Sequence, residues 1–250
     1  MSLLILGYHD IVSKIPEFHD RWTISPDLFR SQLQWLEEAG YQIMSEQKLE
    51  ERSVQGLSME ILSENKHVLL TFDDGLQSHL DFVAPVLTRE GLGGIFFICF
   101  GYMYGTVRPP LRVKQYLTPE LVEALGSLPG CLLGGHSMTH PLFDRLTLQD
   151  IAYEIRTSLE LTELYSAYYP ENRQVYFATP HGFYSRQIVD IACICGADEI
   201  FTTEPGINAS KKSKLLGCSI SVLKRWEIRN DETSTKEDFF KKLQEVENIP

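Results

Sequence analysis

Eight short apolar runs punctuate this chain, each long enough for a strand and too short for a helix: 3–7, 41–44, 67–72, 94–99, 131–134, 174–178, 199–203 and 219–223. Runs of this length read as buried strands. Amphipathic segments with their own start signals stand between most of them. Ser25-Pro26 opens one that runs to Gly40, with Phe29, Leu33 and Leu36 on its inner stripe, and proline at a first helical position is a start signal. Thr118-Pro119 opens a second, and Thr147, with Asp150 three residues on, opens a third through Ile151, Ile155 and Leu159. Further helices fit 79–90, 185–195 and 235–247. Strand and helix in alternation predict a parallel α/β sheet or barrel. At 250 residues and 43% hydrophobic content the chain can bury a large core. No long polar linker divides it, so 1–250 is expected to be a single domain.

Polar residues gather just after these runs. Val68-Leu69-Leu70 leads into Thr71-Phe72-Asp73-Asp74-Gly75, so a buried strand delivers two adjacent carboxylates into a glycine turn. Two like charges at the mouth of a core are costly unless a cation or a shared proton compensates them. Successive strand side chains point apart, which lets one aspartate ligate a metal while its neighbour stays free as a base. Cys131-Leu132-Leu133-Gly134-Gly135 is another buried strand, and it runs into His136-Ser137-Met138-Thr139-His140. Residues four apart share one face of a helical turn, so both imidazoles are expected to reach one ion. Two neutral histidines and a carboxylate leave a position for water or substrate, as hydrolytic metals require. Adjacent aspartates before glycine also build ordinary turns, and a lone histidine such as His9 is commonly structural. The H-x-x-x-H pair favours the metal reading. His9, Asp73-Asp74, His136 and Pro180-His181-Gly182 all follow the carboxyl ends of expected strands, the ends that a parallel barrel gathers on one face.

These segments resemble a known family. Thr71-Phe72-Asp73-Asp74-Gly75 followed by Gly135-His136-Ser137-Met138-Thr139-His140-Pro141-Leu142-Phe143 is similar to the first two motifs of the polysaccharide deacetylase family, also called carbohydrate esterase family 4 or the NodB-homology domain. Leu6-Gly7-Tyr8-His9-Asp10-Ile11, and the stretch from Ser25-Pro26 through Phe29, Leu33, Leu36, Gly40 and Tyr41, resemble the branch with a circularly permuted barrel. The likeness runs from about residue 3 to 228. It implies a distorted (β/α) barrel of about seven or eight strands. It also implies Asp73 as general base, Asp74, His136 and His140 as ligands of one divalent metal, and His9 as general acid. Zinc is the first expectation from that ligand set, and cobalt, nickel or iron would accept it. The implied reaction is metal-assisted hydrolysis of an N-acyl group, most readily an N-acetyl on an amino sugar or small glycan. The oxyanion would be held by the metal and a backbone N–H near Thr179 or Tyr184.

The third family motif departs from the pattern. Members carry an arginine or alanine, then proline, an aromatic residue and glycine; here the stretch is Phe177-Ala178-Thr179-Pro180-His181-Gly182-Phe183-Tyr184. Thr179, Pro180, His181, Gly182 and Tyr184 are therefore expected around the substrate or oxyanion, with His181 a loop residue rather than a ligand. The arginine that orients the base in many members is missing. Arg225, from the last strand, is the expected substitute, since the permuted branch often has an arginine there. The Leu-x-His motif of ordinary members is also missing, and Leu215-Leu216-Gly217-Cys218 stands in its place. Two other readings stay open: a degenerate member that binds a glycan or partner without hydrolysis, and a hydrolase of a non-sugar amide.

A formal net charge of −11 argues against a nucleic-acid partner, because such binding relies on clustered lysine and arginine. The five cysteines, at 99, 131, 193, 195 and 218, are expected to be buried reduced thiols. Zinc binding by Cys193 and Cys195 is disfavoured, since C-x-C on a helix points the thiols in different directions. Leu3 to Leu6 is too short for a signal peptide or a membrane span, so a cytoplasmic protein without a transmembrane segment is expected. The segment from Gly101 to Tyr116, with Tyr102, Tyr104, Arg108 and Pro109-Pro110, reads as a long loop over the site, able to stack on a sugar or simply to pack on the rim. His19, His67 and His79 are expected to be solvated or capping.

Overall fold

Alternate residues of the first strand divide the interior in two. Leu3 and Ile5 pack with Leu69, Ile95, Phe97, Leu132, Tyr176, Phe201 and Leu223, while Leu4, Leu6 and Tyr8 pack with Phe29, Leu33, Leu36 and Leu87. Successive strand residues face opposite sides. The first group is therefore the lumen of a curled sheet, and the second is the layer between sheet and helices. The computed structural model describes residues 2–14, 21–55, 65–108, 114–166, 173–208, 213–215 and 218–249.

The strands are β1 (Ser2–Tyr8), β2 (Asp10–Ile11), β3 (Thr23–Ile24), β4 (Tyr41–Ile43), β5 (Lys66–Phe72), β6 (Gly94–Ile98), β7 (Cys131–Gly135), β8 (Tyr176–Ala178), β9 (Glu199–Phe201), β10 (Ser213–Leu215), β11 (Cys218–Leu223) and β12 (Trp226–Glu227). The main sheet runs β10-β11-β9-β8-β7-β6-β5-β1-β12, with β4 added to β5. Its pairs are parallel except β10 with β11, and the parallel strands curl into a half-barrel. All eight expected strands are present. β2, β3, β10 and β12 were not expected, because two or three residues are too few to display a period of two.

The helices are α1 (Pro26–Glu38), α2 (Glu46–Gln55), α3 (Ala84–Glu90), α4 (Phe100–Met103), α5 (Pro119–Gly126), α6 (Leu148–Tyr165), α7 (Arg186–Ile194), α8 (Asn230–Thr233) and α9 (Lys236–Glu247). Two of the three expected starts are capped by a side chain: Ser25 Oγ accepts from the Leu28 N–H at 3.1 Å, and Thr147 Oγ1 from the Asp150 N–H at 3.2 Å, each worth about 1 kcal/mol. The Thr118 hydroxyl instead donates to Glu120 at 2.7 Å and caps no backbone N–H. The helix expected from 79 begins instead as a π-helical turn, His79–Val83, ahead of α3. α2 was not expected, because Leu49 and Val54 are its only apolar residues, too few to show a stripe; its anchor is Leu49, fully buried in the lumen cluster. No described helix is long and apolar enough to cross a membrane.

Three expectations fail here. His67 and His79 are both fully buried rather than solvated or capping, and His19 lies outside the described residues. His67 shares its face of β5 with Leu69 and so points into the lumen. His79 packs against Phe72 and Phe96. Among the cysteines, Cys99, Cys131 and Cys195 are free thiols, but Cys193 is disulfide-bonded.

Candidate active site

Parallel pairing brings the carboxyl ends of β1, β5, β7, β8, β9 and β12 to one rim, and polar residues at or just beyond them share one cavity of about 410 Å³. His9, Asp73, Asp74, His136, His140, Thr179, His181, Gly182 and Glu227 all line it. Neither Tyr184 nor Arg225 is among the lining residues. The Tyr184 hydroxyl donates to Glu204 at 2.8 Å, while Arg225 lies fully buried behind Asp73. Pro180 is buried beneath the turn.

The two aspartates leave β5 by different routes. Asp73 is 2% exposed, and its backbone N–H donates to the Tyr8 carbonyl at 2.9 Å. Asp74 has φ 76°, in the left-handed region that costs a non-glycine residue about 1 kcal/mol or more. That turn cancels the pleat alternation expected from sequence, and both carboxylates enter the same cavity. Asp74 Oδ1 is buried with no hydrogen-bond partner. It lies 3.7 Å from His136 Nε2 and 3.5 Å from His140 Nε2.

The histidine pair does not ride on a helical turn. Residues 136–140 form an irregular loop after β7, with Ser137 at φ 63° and His140 at φ 53°. The loop still points both rings inward, with centroids 4.9 Å apart. His136 Nδ1 pairs with the Ala178 carbonyl at 2.9 Å, an arrangement that places the proton on Nδ1 and frees the Nε2 lone pair. Burial, reinforced by His136, pushes the His140 pKa down to about 3, so its ring is neutral at ordinary pH. For Asp74, burial raises the pKa but the surrounding histidines outweigh it, and the carboxyl is held below its usual value. One ligand atom from each of Asp74, His136 and His140 lies within 4.8 Å of the others. Two imidazole nitrogens facing an unpartnered carboxylate oxygen form a donor set that fits a divalent cation.

Asp73 has a different partner. Arg225, in the step between β11 and β12 rather than on a strand, donates from both terminal nitrogens to its two oxygens at 2.7 and 2.8 Å. Its Nε donates to the Thr202 carbonyl at 2.9 Å and its guanidinium lies over Phe97. Burial works to raise the Asp73 pKa, yet Arg225, followed by His136, holds it well below the usual carboxylate range. Asp73 is thus kept as an aimed anion, the role expected of the absent motif arginine.

A family model described as polysaccharide deacetylase matches residues 62–200, more than half of the chain. The chain belongs to the polysaccharide deacetylase family. YxkH of Bacillus subtilis, provisionally named a polysaccharide deacetylase, is 26% identical over 205 residues, which are 82% of this chain and 66% of YxkH. Among solved structures, the deacetylase PplD of Streptococcus pyogenes, in complex with acetate, aligns with TM-score 0.72 and 21% identity over 96% of this chain and 97% of its own. IcaB of Ammonifex degensii aligns with TM-score 0.70 and 21% identity, covering 96% of each chain. A de-N-acetylase of Aggregatibacter actinomycetemcomitans gives TM-score 0.72 and 17% identity over 98% of this chain and 100% of its own. At these identities the likeness is one of fold.

Several groups around the family site went unseen in the sequence. Glu227 ends β12 in register with Gly7 and is 5% exposed with neither carboxylate oxygen hydrogen-bonded. Its Oε2 is 3.6 Å from His9 Nδ1 and its Oε1 is 3.4 Å from Arg225. Burial raises the Glu227 pKa against the pull of Arg225. No local signal marked it, since Glu227 stands among other charged residues in Lys224-Arg225-Trp226-Glu227-Ile228-Arg229. Trp22, delivered by the small β2–β3 pair, packs against His9 with ring centroids 4.8 Å apart and planes tilted by 37°. His79 Nε2 meets the His9 carbonyl at 2.9 Å, and its pKa, lowered by burial to about 4, makes it a neutral donor. Of the expected aromatic loop, Tyr116 lines the cavity and packs on Tyr102, which in turn stacks on His140. Tyr104 is turned outward to Tyr165, and Pro109-Pro110 lie outside the described residues.

A Cβ on Gly7 would lie 2.4 Å from Glu227 Oε1. Gly7→Ala is therefore expected to destabilise the fold by about 1–3 kcal/mol through overpacking. Urea unfolding of the variant against wild type measures this, and an unchanged midpoint would show that Glu227 swings aside freely.

Proposed function

We propose that this chain is a metal-dependent hydrolase that removes an N-acyl group, most readily N-acetyl, from an amino sugar or glycan. The observation that carries this reading is the division of labour between adjacent aspartates: Asp74 faces two histidine nitrogens, and Asp73 is paired in bidentate fashion to Arg225. Asp74, His136 and His140 would hold the ion, with zinc the first choice and cobalt, nickel or iron also suited to the ligands. The bound cation supplies Lewis acidity toward the acyl carbonyl and lowers the pKa of water. Asp73 takes the proton from the attacking water as general base. The turn after β8 contributes a donor to the developing oxyanion. Thr179 N–H is committed to the Phe201 carbonyl at 3.1 Å and Gly182 N–H to the Thr179 carbonyl at 2.9 Å. Position 180 is proline, so His181 offers the remaining amide. His9, held by Glu227 on one side and by the contact of its carbonyl with His79 on the other, returns a proton to the leaving nitrogen.

Arg225 also bears on the reading of a degenerate binder, since that reading rested on the absent motif arginine. A cation already fixed on Asp73 removes its main support. The disulfide at Cys193 favours an oxidising compartment over a reducing cytoplasm, and with it a glycan outside the cytoplasm as substrate. The test is direct. Purified protein is assayed for bound divalent metal and for acetate release from N-acetylated oligosaccharides, before and after chelation and after metal is restored. Release should stop on chelation and return with the ion. Release that survives full removal of metal would overturn the proposal.

A further inference from the structure

Residues 136–140 hold two residues in the left-handed region, Ser137 at φ 63° and His140 at φ 53°. Each costs about 1 kcal/mol or more and persists only where the surroundings over-determine it. One side chain supplies most of that determination. Glu154, from the inner face of α6, accepts hydrogen bonds from the Met138 N–H at 2.8 Å, the Thr139 N–H at 2.8 Å and the Thr139 hydroxyl at 2.7 Å. The carboxylate is 7% exposed, and no Lys or Arg is paired with it among the described ion pairs. Two further contacts complete the clamp: Ser137 Oγ accepts from the His140 N–H at 2.9 Å, and the Gly101 N–H donates to the Met138 carbonyl at 2.6 Å. A Cβ at position 101 would lie 2.2 Å from that carbonyl oxygen, so the chain is built for this close approach.

We infer that Glu154 is the positioning residue that sets metal affinity at the Asp74–His136–His140 cluster, by fixing the backbone from which both imidazoles project. Asp74 comes from a different strand, so the two histidines must be aimed before the ion arrives. A buried carboxylate with three charge-assisted hydrogen bonds is strong enough to do this. It touches no ligand atom, and its effect travels only through the loop. The inference rests on the metal reading proposed above. A glutamate also interrupts the apolar stripe Ile151, Ile155 and Leu159, where packing alone would place an aliphatic residue.

Zinc affinity is measured by chelator competition for wild type, Glu154→Gln and Thr139→Val. Glu154→Gln replaces one acceptor oxygen by an NH₂ facing a donor, and affinity is expected to fall about 10–100-fold, as for partners of metal ligands generally. Turnover at saturating zinc should stay within a few-fold of wild type. Thr139→Val removes one bond of the three and should fall between the two proteins; it also serves if Glu154→Gln fails to fold. Wild-type zinc affinity in Glu154→Gln, or in Thr139→Val where that variant must stand in, would overturn the inference. So would a loss of turnover that excess zinc does not restore. Failure of the wild type itself to bind a divalent ion would instead overturn the underlying metal reading.

Discussion

Asp73→Asn is expected to keep the metal and lose turnover by a factor on the order of 10²–10⁴, the usual contribution of a general base. Asp74→Ala should lose metal and turnover together. The contrast follows from geometry. Asp74 Oδ1 faces the histidine nitrogens at 3.5 and 3.7 Å, whereas Asp73 is turned toward Arg225 at 2.7 and 2.8 Å and comes no closer than 4.0 Å to His136 Nε2. Asparagine at position 73 keeps one acceptor for Arg225 and loses the ability to take a proton. Metal content by elemental analysis, read beside acetate release, separates the roles. An Asp73→Asn protein devoid of metal would show that the two aspartates have been assigned the wrong way round.

How much of this was readable in the chain depended on the scale of the feature. Long apolar runs such as Val68–Phe72 and capped helices such as that from Ser25-Pro26 announce themselves, because burial of whole faces leaves a period in the sequence. That Asp73, Asp74, His136 and His140 gather at one place was also legible, since their residue types and motif spacing stand out from the apolar runs that precede them. The backbone that aims them was not. His136 and His140 were read onto a helical turn from their spacing, yet Ser137 and His140 adopt positive φ, a conformation that a tertiary clamp from Glu154 imposes and no local pattern reveals. Glu227 and His79 escaped for the same reason. Each acts on His9 from an element 70 or more residues away in sequence, or across the β1–β12 register. Arg225 was found only because a missing arginine prompted a search for its replacement.

That replacement carries the second large effect. Arg225→Met leaves Asp73 buried without its partner, and breaking a buried ion pair from one side costs about 3–5 kcal/mol of stability. In the wild type the folded pKa of Asp73 lies below its unfolded value of about 3.9. The pair therefore stabilises the fold above that pH, and its contribution fades as pH falls through the folded pKa. Without Arg225, burial becomes the dominant influence and pushes the Asp73 pKa up. The stability gap between wild type and Arg225→Met should thus be widest near neutral pH and narrow in acid. The acid limb of kcat/KM should move to higher pH in the variant, because the base is protonated sooner, and turnover at the optimum should fall about 10²-fold as the carboxylate loses its aim. Arg225→Lys keeps the charge but not the fork, and belongs between the two proteins on both axes. A variant with the wild-type acid limb would mean that Arg225 supports the barrel rim without tuning the base.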